Sequence, residues 1–270
     1  MLEAIKETIS FIKNKIDFDP EIALILGTGL GGVVDDIEIK DTIHYKDIPN
    51  FPVSTAPSHI GRLIFGELGG RKCVAMQGRF HYYEGYSMQE LTFPVRVLKY
   101  LGIKYLFISN ASGGINPDFE IGDLMIIDDH INLMPNPLIG PHYEEFGDRF
   151  PDMSEPYNMK LISKAEAMAA ENNIKVQKGC YVGVTGPTLE TPKEYSYFRI
   201  IGGDTVGMST VPEVIVAHQM GIPCFAISII TDLGVPGKIV EVSVEDVKKA
   251  AAEAAPRMIS LMEALIQNLD

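Results

Sequence analysis

Five apolar segments of the sequence are each followed directly by glycines, hydroxyls or charged side chains. The polar clusters lie at residues 27–32, 78–84, 109–114, 186–191 and 231–232. In α/β proteins, ligands bind at the carboxyl ends of the strands of the sheet. If the apolar segments are strands, the five clusters meet at one edge of a sheet. They would then form a site for a small polar substrate.

Arg79 and His81 could bind an anion together. They are two residues apart, so in an extended segment their side chains point to the same side. A guanidinium beside an imidazole suits a group such as phosphate. A surface arginine next to a core histidine is the alternative, but the position at a strand end favours the anion site. His59 is a possible third donor, although taken alone it is better explained as structural.

Glu190 and Asp232 could recognise a heterocycle. Glu190 precedes Thr191-Pro192, which has the form of a helix start with proline at the first helical position. It is either a carboxylate stabilised by the helix dipole or an acceptor for an N–H on the edge of a base. Asp232 follows an apolar segment, and a carboxylate there is either hydrogen-bonded or has a raised pKa.

The glycine cluster after the first strand matches G-x-G-x-x-G at Gly27, Gly29 and Gly32. A dinucleotide site needs a helix directly after the glycines and an acidic residue about 20 positions on. Asp47 has nearly that spacing, but the residues after the cluster are typical of an extended or irregular segment. We therefore interpret the cluster as a phosphate cradle of backbone N–H groups with the Thr28 hydroxyl added. A plain tight turn is the alternative.

The composition excludes several classes of protein. The chain has 270 residues, of which 46% are hydrophobic and 22% charged, unlike a disordered protein. Its net charge of −13 argues against nucleic-acid binding, which depends on cationic side chains. The N-terminus does not resemble a signal peptide, and no apolar stretch approaches about 18 residues, so we expect no membrane span and a cytoplasmic location.

Neither a disulfide framework nor a metal site is expected. The three cysteines, Cys73, Cys180 and Cys224, are widely spaced and odd in number. Residues 128–130 (DDH) contain possible metal ligands, but no other residues with suitable spacing complete a site.

Apolar segments alternate with helix signals along the whole chain. Strands are predicted at residues 22–26, 62–66, 73–77, 105–110, 124–127, 179–185 and 224–230. Helices are predicted at residues 2–16, 87–101, 159–171 and 243–269, with further starts at Thr191 and at residues 210–213, where T-V-P-E resembles a capping box. Residues 132–158 form a long irregular segment. We predict an α/β fold, a single domain over residues 1–270, with a central mixed or mostly parallel twisted sheet flanked by α-helices.

Several longer motifs resemble those of one enzyme family. They are residues 27–32 (GTGLGG), 48–52 (IPNFP), 77–86 (QGRFHYYEGY), 92–97 (TFPVRV), 110–114 (NASGG), 129–132 (DHIN), 146–150 (FGDRF) and 206–217 (VGMSTVPEVIVA). On these motifs the chain closely resembles the trimeric purine nucleoside phosphorylases of the nucleoside phosphorylase superfamily. The resemblance implies reversible phosphorolysis of purine nucleosides such as inosine and guanosine, giving free base and pentose 1-phosphate. It implies phosphate as co-substrate and no cofactor or metal.

The resemblance also assigns roles to individual residues. The phosphate site would comprise Thr28, His59, Arg79, His81, Ala111 and Ser209. The nucleoside would contact Tyr83, Ala111, Phe150, Leu189, Glu190, Val206, Met208, Thr231, Asp232 and Val244. In this family Phe150 would reach into the pocket of a neighbouring subunit of a homotrimer. His81, Glu190 and Asp232 are the expected catalytic residues.

Three positions depart from the family pattern. Asp232 replaces the usual asparagine, as in the related methylthioadenosine phosphorylases, and Leu189 replaces an aromatic residue. Val244 stands where a histidine usually contacts the ribose 5′-hydroxyl. A 5′-methylthioadenosine or methylthioinosine phosphorylase is therefore the nearest alternative, although residues 78–85 are of the nucleoside phosphorylase type.

Two more distant alternatives belong to other classes of protein. The hypothesis of a dinucleotide-dependent oxidoreductase is supported by the glycine cluster alone. A non-catalytic nucleoside-binding module has no need of an anion site, so Arg79 and His81 argue against it.

Overall fold

Nine strands form one sheet in the computed structural model, which describes residues 1–27, 31–53 and 60–269. They are β1 (Ile22–Leu26), β2 (Glu38–His44), β3 (Arg62–Leu68), β4 (Arg71–Gln77), β5 (Tyr105–Gly114), β6 (Leu124–Asn132), β7 (Val176–Gly183), β8 (Thr205–Gly207) and β9 (Cys224–Leu233). Their order in the sheet is β2-β3-β4-β1-β5-β8-β7-β6-β9. β9 also pairs with β5, so β5, β8, β7, β6 and β9 close into a ring.

The sheet is mixed. β1 is parallel to both β4 and β5, and β9 is parallel to β5. β3 is antiparallel to β2 and β4, and β6 is antiparallel to β9. β1, β5 and β9 are buried along almost their whole length, as expected for parallel strands covered on both faces. Because β4, β1, β5 and β9 run in the same direction, the polar segments after them meet at one edge.

Six α-helices flank the sheet in the described residues. They are α1 (Leu2–Lys15), α2 (Met88–Leu101), α3 (Met159–Glu171), α4 (Pro192–Ile200), α5 (Val211–Gln219) and α6 (Val244–Gln267). The predicted helix starts at Ser87, Thr191 and Ser243 are confirmed, and each has a capping box. The predicted α/β fold with a mixed sheet between helices is therefore confirmed.

The predicted capping box at Thr210 is wrong. α5 does begin at Val211, but Thr210 makes no side-chain cap and has a positive φ of 67°. Glu213, the other half of the predicted box, instead forms an ion pair with Arg79. The local pattern was misleading because a distant arginine competes for the carboxylate.

Several strand boundaries also differ from the prediction. β2 and β8 were not predicted, because β2 is mostly exposed and β8 has only three residues. β7 ends at Gly183 rather than at residue 185. β5, β6 and β9 continue past their apolar runs to Gly114, Asn132 and Leu233. Backbone pairing continues there although the side chains have become polar, so the pattern of apolar residues does not reveal it.

The segment at residues 132–158 is irregular, as predicted. After β6 its regular structure is one short 3₁₀ turn at Glu144–Phe146, whose Phe146 packs into the core. Among the described residues, no helix is both long and apolar enough to span a bilayer.

Asp204, directly before β8, connects the start of β8 to three neighbouring elements. Its carboxylate accepts hydrogen bonds from Arg199 Nη1 at 2.7 Å, Asn116 Nδ2 at 2.8 Å and the Cys180 backbone N–H at 2.9 Å. Its carbonyl oxygen accepts from the Ile115 backbone N–H at 2.9 Å. These bonds connect β8 to α4, β7 and the end of β5.

We expect Asp204→Ala to lower the free energy of unfolding by about 2–3 kcal/mol, because three donors lose a charged acceptor. Urea unfolding followed by circular dichroism measures this loss. Asp118→Ala is the matched control, since Asp118 is exposed and should have almost no effect. Equal stability of the two variants would contradict the role given to Asp204.

Candidate active site

One cavity opens at the edge where the polar strand ends meet. It is lined by Arg79, His81, Tyr83, Asn110, Ala111, Ser112, Gly113, Leu189, Glu190, Val206, Gly207, Met208, Ser209, Thr231, Asp232 and Val247. These residues come from the segment after β4, the ends of β5 and β9, the loop before α4, the segment from β8 to α5, and the first turn of α6. The fold therefore brings together most of the site residues predicted from the sequence.

Arg79 lies at one end of the cavity and is almost completely buried, with 2% of its side chain exposed. Its Nε and Nη2 are 3.1 Å and 2.9 Å from Glu213 Oε1. Its Nη1 donates to the Ser109 carbonyl oxygen and to Ser209 Oγ, both at 3.1 Å. The guanidinium is thus held in one orientation by β5, α5 and the segment before α5.

Glu213 is a site residue that sequence analysis missed. It lies on α5 with 5% of its side chain exposed, and its carboxylate balances the buried charge of Arg79. A buried arginine needs such a partner, because an unpaired charge in the protein interior is very costly. The signal in the sequence is an acidic residue inside the apolar run VPEVIVA, which the capping-box pattern assigns to the start of a helix.

His81 lies on the same side as Arg79, as predicted. Its ring Nδ1 is 3.2 Å from Glu84 Oε1, and its backbone N–H donates to the same oxygen at 2.8 Å. A carboxylate can only accept, so this contact keeps a proton on Nδ1. The imidazole also stacks on Tyr83, with ring centroids 4.8 Å apart and planes at 13°. Both contacts hold the ring against the cavity wall.

A buried hydroxyl network supports Ser209. The Ser209 backbone N–H donates to Tyr181 Oη at 3.3 Å, and Ser209 Oγ is 3.2 Å from Thr210 Oγ1. Asn110 Nδ2 donates to Thr210 Oγ1 at 2.9 Å. The positive φ of Thr210 costs free energy in a residue with a β-branched side chain. It turns the chain sharply between the cavity and α5, so that Ser209 faces Arg79.

Glu190 and Asp232 lie at the other end of the cavity. Burial raises the pKa of Asp232, while Thr231 Oγ1, 3.0 Å from Asp232 Oδ1, opposes this shift. Burial also raises the pKa of Glu190, and the negative charge of Asp232 adds to the increase. Both groups therefore bind a proton more readily than ordinary carboxylates do. The two ends of the cavity thus differ, with a buried cation at one and protonatable carboxylates at the other.

Val244 is a correction to the predicted site. It is the first residue of α6, it is 62% exposed, and it does not line the cavity. Val247, three residues further on, lines the cavity instead, because residues three apart lie on the same face of a helix. An apolar side chain of this helix does line the cavity, but it lies one turn after Val244.

Phe150 does not line this cavity. Phe150 is 88% exposed and lies in a separate surface hollow with Ile139 and Met153. Thr28 and His59 are outside the described residues.

The dinucleotide alternative is not supported by the backbone after the glycine cluster. Residues Gly31–Asp36 form a 3₁₀ turn, and β2 follows directly. The helix that a dinucleotide fingerprint requires is therefore not present at this place.

The group at residues 128–130 does not form a metal site. Burial lowers the pKa of His130 to about 4, and its Nδ1 is 3.1 Å from Tyr157 Oη. In the part of the chain that the structure describes, no three His, Cys, Asp or Glu side chains are grouped to hold a metal ion.

Comparison with known proteins identifies the superfamily to which the chain belongs. Residues 21–267 match the family model of the phosphorylase superfamily, and the chain belongs to that superfamily. It is 48% identical to purine nucleoside phosphorylase 1 of Bacillus subtilis, over 98% of both chains. It is 45% identical to the purine nucleoside phosphorylase of Bos taurus, over 98% of this chain and 95% of the relative.

The fold has a similar counterpart among solved structures. The crystal structure of Schistosoma mansoni purine nucleoside phosphorylase in complex with adenosine matches with a TM-score of 0.95 and 43% identity. The match covers 99% of this chain and 98% of the other. The resemblance to purine nucleoside phosphorylases that the motifs indicated is thereby confirmed.

We expect Glu213→Ala to lower the free energy of unfolding by about 3–5 kcal/mol, because it leaves the buried Arg79 charge without its partner. Thermal and urea unfolding measure the loss. Glu166→Ala, which removes the half-exposed ion pair with Lys178, is the matched control, with an expected loss of about 0–1 kcal/mol. If both variants lost equally little stability, the ion pair would not organise this end of the cavity.

Proposed function

We propose that this protein catalyses the reversible phosphorolysis of purine nucleosides, with inosine and guanosine as its main substrates. The products are the free base and pentose 1-phosphate. One observation carries the proposal: a single cavity has a buried arginine at one end and two protonatable carboxylates at the other. Relatives that are 45–48% identical over nearly the whole chain are named purine nucleoside phosphorylases.

Phosphate binds at the arginine end. Arg79 supplies the charge, Ser209 its hydroxyl, Ala111 its backbone N–H and His81 its imidazole. Thr28 and His59 complete the set by resemblance to the family. The glycosidic bond breaks through a cation-like ribosyl centre, so a phosphate fixed beside it stabilises the growing charge and then attacks the anomeric carbon. The protein contributes positioning and electrostatic stabilisation rather than a covalent intermediate.

The base binds at the carboxylate end. Glu190, when ionised, accepts the N1–H of a 6-oxopurine. Asp232, when protonated, donates to N7, where negative charge grows as the base leaves. The raised pKa of Asp232 supports this donor role, because a larger fraction of the carboxyl is protonated at a given pH. Tyr83, Leu189, Val206, Met208 and Thr231 form the walls around base and ribose.

A 5′-methylthioadenosine or methylthioinosine phosphorylase is the second candidate. Val247 brings an apolar side chain into the cavity from α6, where a hydroxyl-binding side chain would favour an ordinary ribose. Asp232 can also accept from a 6-amino group when it is ionised. Both features are compatible with a 5′-methylthio substrate.

The reaction needs no cofactor or metal in this proposal, because phosphate is the nucleophile and the carboxylates act on the base. We place the enzyme in the cytoplasm, where the three cysteines, which form no disulfide, would remain thiols. The net charge of −13 supports neither nucleic acid nor an anionic membrane as a partner.

A homotrimer is part of the proposal. Phe150 is a large apolar side chain that is 88% exposed in the single chain, and its hollow contains further apolar residues. Contact with a second copy would remove this surface from water. We propose that Phe150 enters the cavity of a neighbouring subunit and completes its wall.

The first test is cleavage of inosine, guanosine, adenosine and 5′-methylthioadenosine, each with and without phosphate. We expect phosphate-dependent cleavage with inosine and guanosine as the best substrates.

Arg79→Lys tests the anion site. It should raise the KM for phosphate about 10- to 100-fold, since a charge-assisted hydrogen bond from the guanidinium is lost, and change the KM for inosine much less. Arg79→Lys is a better test than Arg79→Ala, because lysine keeps a cation beside the buried Glu213 carboxylate. Equal increases of both KM values would mean that the anion binds elsewhere.

Phe150→Ala tests the shared site. We expect kcat/KM for inosine to fall about 10-fold or more, because part of the pocket wall is lost. Ile200→Ala, which removes another apolar side chain that is 83% exposed, should leave it unchanged. Analytical ultracentrifugation gives the assembly state of each variant. A fully active monomer would contradict the proposal.

A further inference from the structure

Tyr181 lies behind the arginine end of the cavity and is completely buried. It comes from β7 and does not line the cavity itself. Its hydroxyl oxygen accepts the backbone N–H of Ser209 at 3.3 Å and lies 3.4 Å from Ser209 Oγ. The tyrosine therefore contacts both the main chain and the side chain of a serine in the anion site, and none of the motifs assigns it a role.

A glycine gives the phenol room to reach Ser209. Tyr181 pairs with Thr205 on β8, and Gly207 is two residues further along that strand, on the same face of the sheet. A Cβ atom on Gly207 would come within 2.2 Å of Tyr181 Oη. A larger residue at this position would therefore displace the phenol from the serine.

The groups around these hydroxyls are hydrogen-bond donors. Arg79 Nη1 donates to Ser209 Oγ at 3.1 Å, and Asn110 Nδ2 donates to Thr210 Oγ1 at 2.9 Å. The amide of Asn110 is held in this orientation, because its Oδ1 accepts from Ser228 Oγ at 2.5 Å. Neither the guanidinium nor the amide nitrogen can accept a hydroxyl proton.

Three hydroxyls, those of Tyr181, Ser209 and Thr210, share only two contacts with one another. Tyr181 Oη is 3.4 Å from Ser209 Oγ, which is 3.2 Å from Thr210 Oγ1. Burial raises the pKa of Tyr181 to about 12, so its phenol keeps its proton at neutral pH. Each contact uses one of the three hydroxyl protons. Within the part of the chain that the structure describes, one proton is therefore left without an acceptor.

A ligand in the cavity can accept that proton from Ser209. Tyr181 and Thr210 are completely buried and do not line the cavity, whereas Ser209 is 8% exposed and does line it. A buried hydroxyl without an acceptor is unfavourable. The protons of Tyr181 and Thr210 are best placed on the serine oxygen, so the proton of Ser209 is the one that points outward. An anion oxygen, which has lone pairs and no proton, completes the network.

We propose that Tyr181 is a positioning residue of the anion site, which together with Thr210 fixes Ser209 as a hydrogen-bond donor to the bound anion. The inference rests on the proposed function, in which the anion is phosphate, and deepens it. Tyr181 holds the main chain of Ser209 by accepting its N–H. It also donates to Ser209 Oγ, which leaves the serine proton for the ligand. Because hydrogen bonds in a chain polarise one another, the phenol makes the serine a stronger donor as well.

The test is a double-mutant cycle on the KM for phosphate, with the KM for inosine measured alongside. Ser209→Ala should raise the KM for phosphate about 10- to 100-fold, because a hydrogen bond to a charged ligand is lost. Tyr181→Phe should raise it about 3- to 10-fold, because the serine loses the partner that orients it. Each variant should change the KM for inosine by less than about 2-fold.

The decisive measurement is Tyr181→Phe in the Ser209→Ala background. There it should change the KM for phosphate by less than about 2-fold, because no serine hydroxyl remains to be oriented. Tyr157→Phe is the matched control. Tyr157 is also completely buried, its hydroxyl lies 3.1 Å from His130 Nδ1, and it does not line the cavity. Its loss of a hydroxyl should leave both KM values unchanged.

Gly207→Ala breaks the same contact by a different route and replaces Tyr181→Phe if that variant does not fold. It keeps every hydroxyl but places a Cβ atom where Tyr181 Oη lies. Its effect on the KM for phosphate should also disappear in the Ser209→Ala background. Circular dichroism establishes that each variant is folded.

The outcomes separate the two levels of inference. If the wild-type enzyme cleaves none of the nucleosides in the presence of phosphate, the proposed function is wrong and this inference falls with it. If it cleaves them and Tyr181→Phe raises the KM for phosphate by the same factor with and without the Ser209 hydroxyl, the tyrosine is merely structural and the inference is refuted. An unchanged KM for phosphate in Ser209→Ala would overturn it as well, even if neither Tyr181→Phe nor Gly207→Ala folded.

Discussion

The buried ion pair between Arg79 and Glu213 is the interaction on which the rest of the site depends. It joins the end of β4 to α5, and through Arg79 Nη1 it also holds the Ser109 carbonyl oxygen and Ser209 Oγ. A lone guanidinium at this depth would be too costly to bury. Paired with Glu213, it can present a fixed cation to an anion without rearranging. The positive φ of Thr210 is compatible with this arrangement, because it lets α5 begin where Glu213 reaches the arginine.

The opposite end of the cavity depends on confinement rather than on charge pairing. Glu190 directly precedes the capped helix α4, and Asp232 lies on β9, where a Cβ atom on Gly113 would come within 2.9 Å of Asp232 Oδ2. Burial raises the pKa of both carboxyls, and the negative charge of Asp232 adds to the increase for Glu190. The cavity therefore places a permanent cation and a pair that can take up a proton at its two ends. The reaction of a nucleoside with phosphate needs a cation and a proton donor at separate places. Phosphate brings negative charge to one end of the cavity, and negative charge leaves with the base at the other end.

The successes and failures of sequence analysis have distinct physical causes. The helix starts at Ser87, Thr191 and Ser243 were predictable because a capping box is a local interaction within four residues. The same logic was wrong for Thr210 and Glu213, because Arg79, more than a hundred residues away in the chain, competes for the carboxylate. The prediction of Val244 instead of Val247 has a similar cause. The resemblance to the family identifies the segment that contributes to the site, but the position and packing of α6 decide which residue of its first turn faces the cavity.

The sequence by itself determined the succession of the six helices and of seven of the nine strands, the superfamily, and the residue types at the strand ends. These follow from apolar periodicity, local capping and long motifs, all of which are properties of neighbouring residues. Only the tertiary structure decided that Glu213 neutralises Arg79 and that β5 and β9 pair to close the ring. Each of these is a contact between distant segments. The free energy of such a contact depends on how deeply it is buried and on which residues are neighbours in the folded chain. Residue spacing along the sequence carries no information about either.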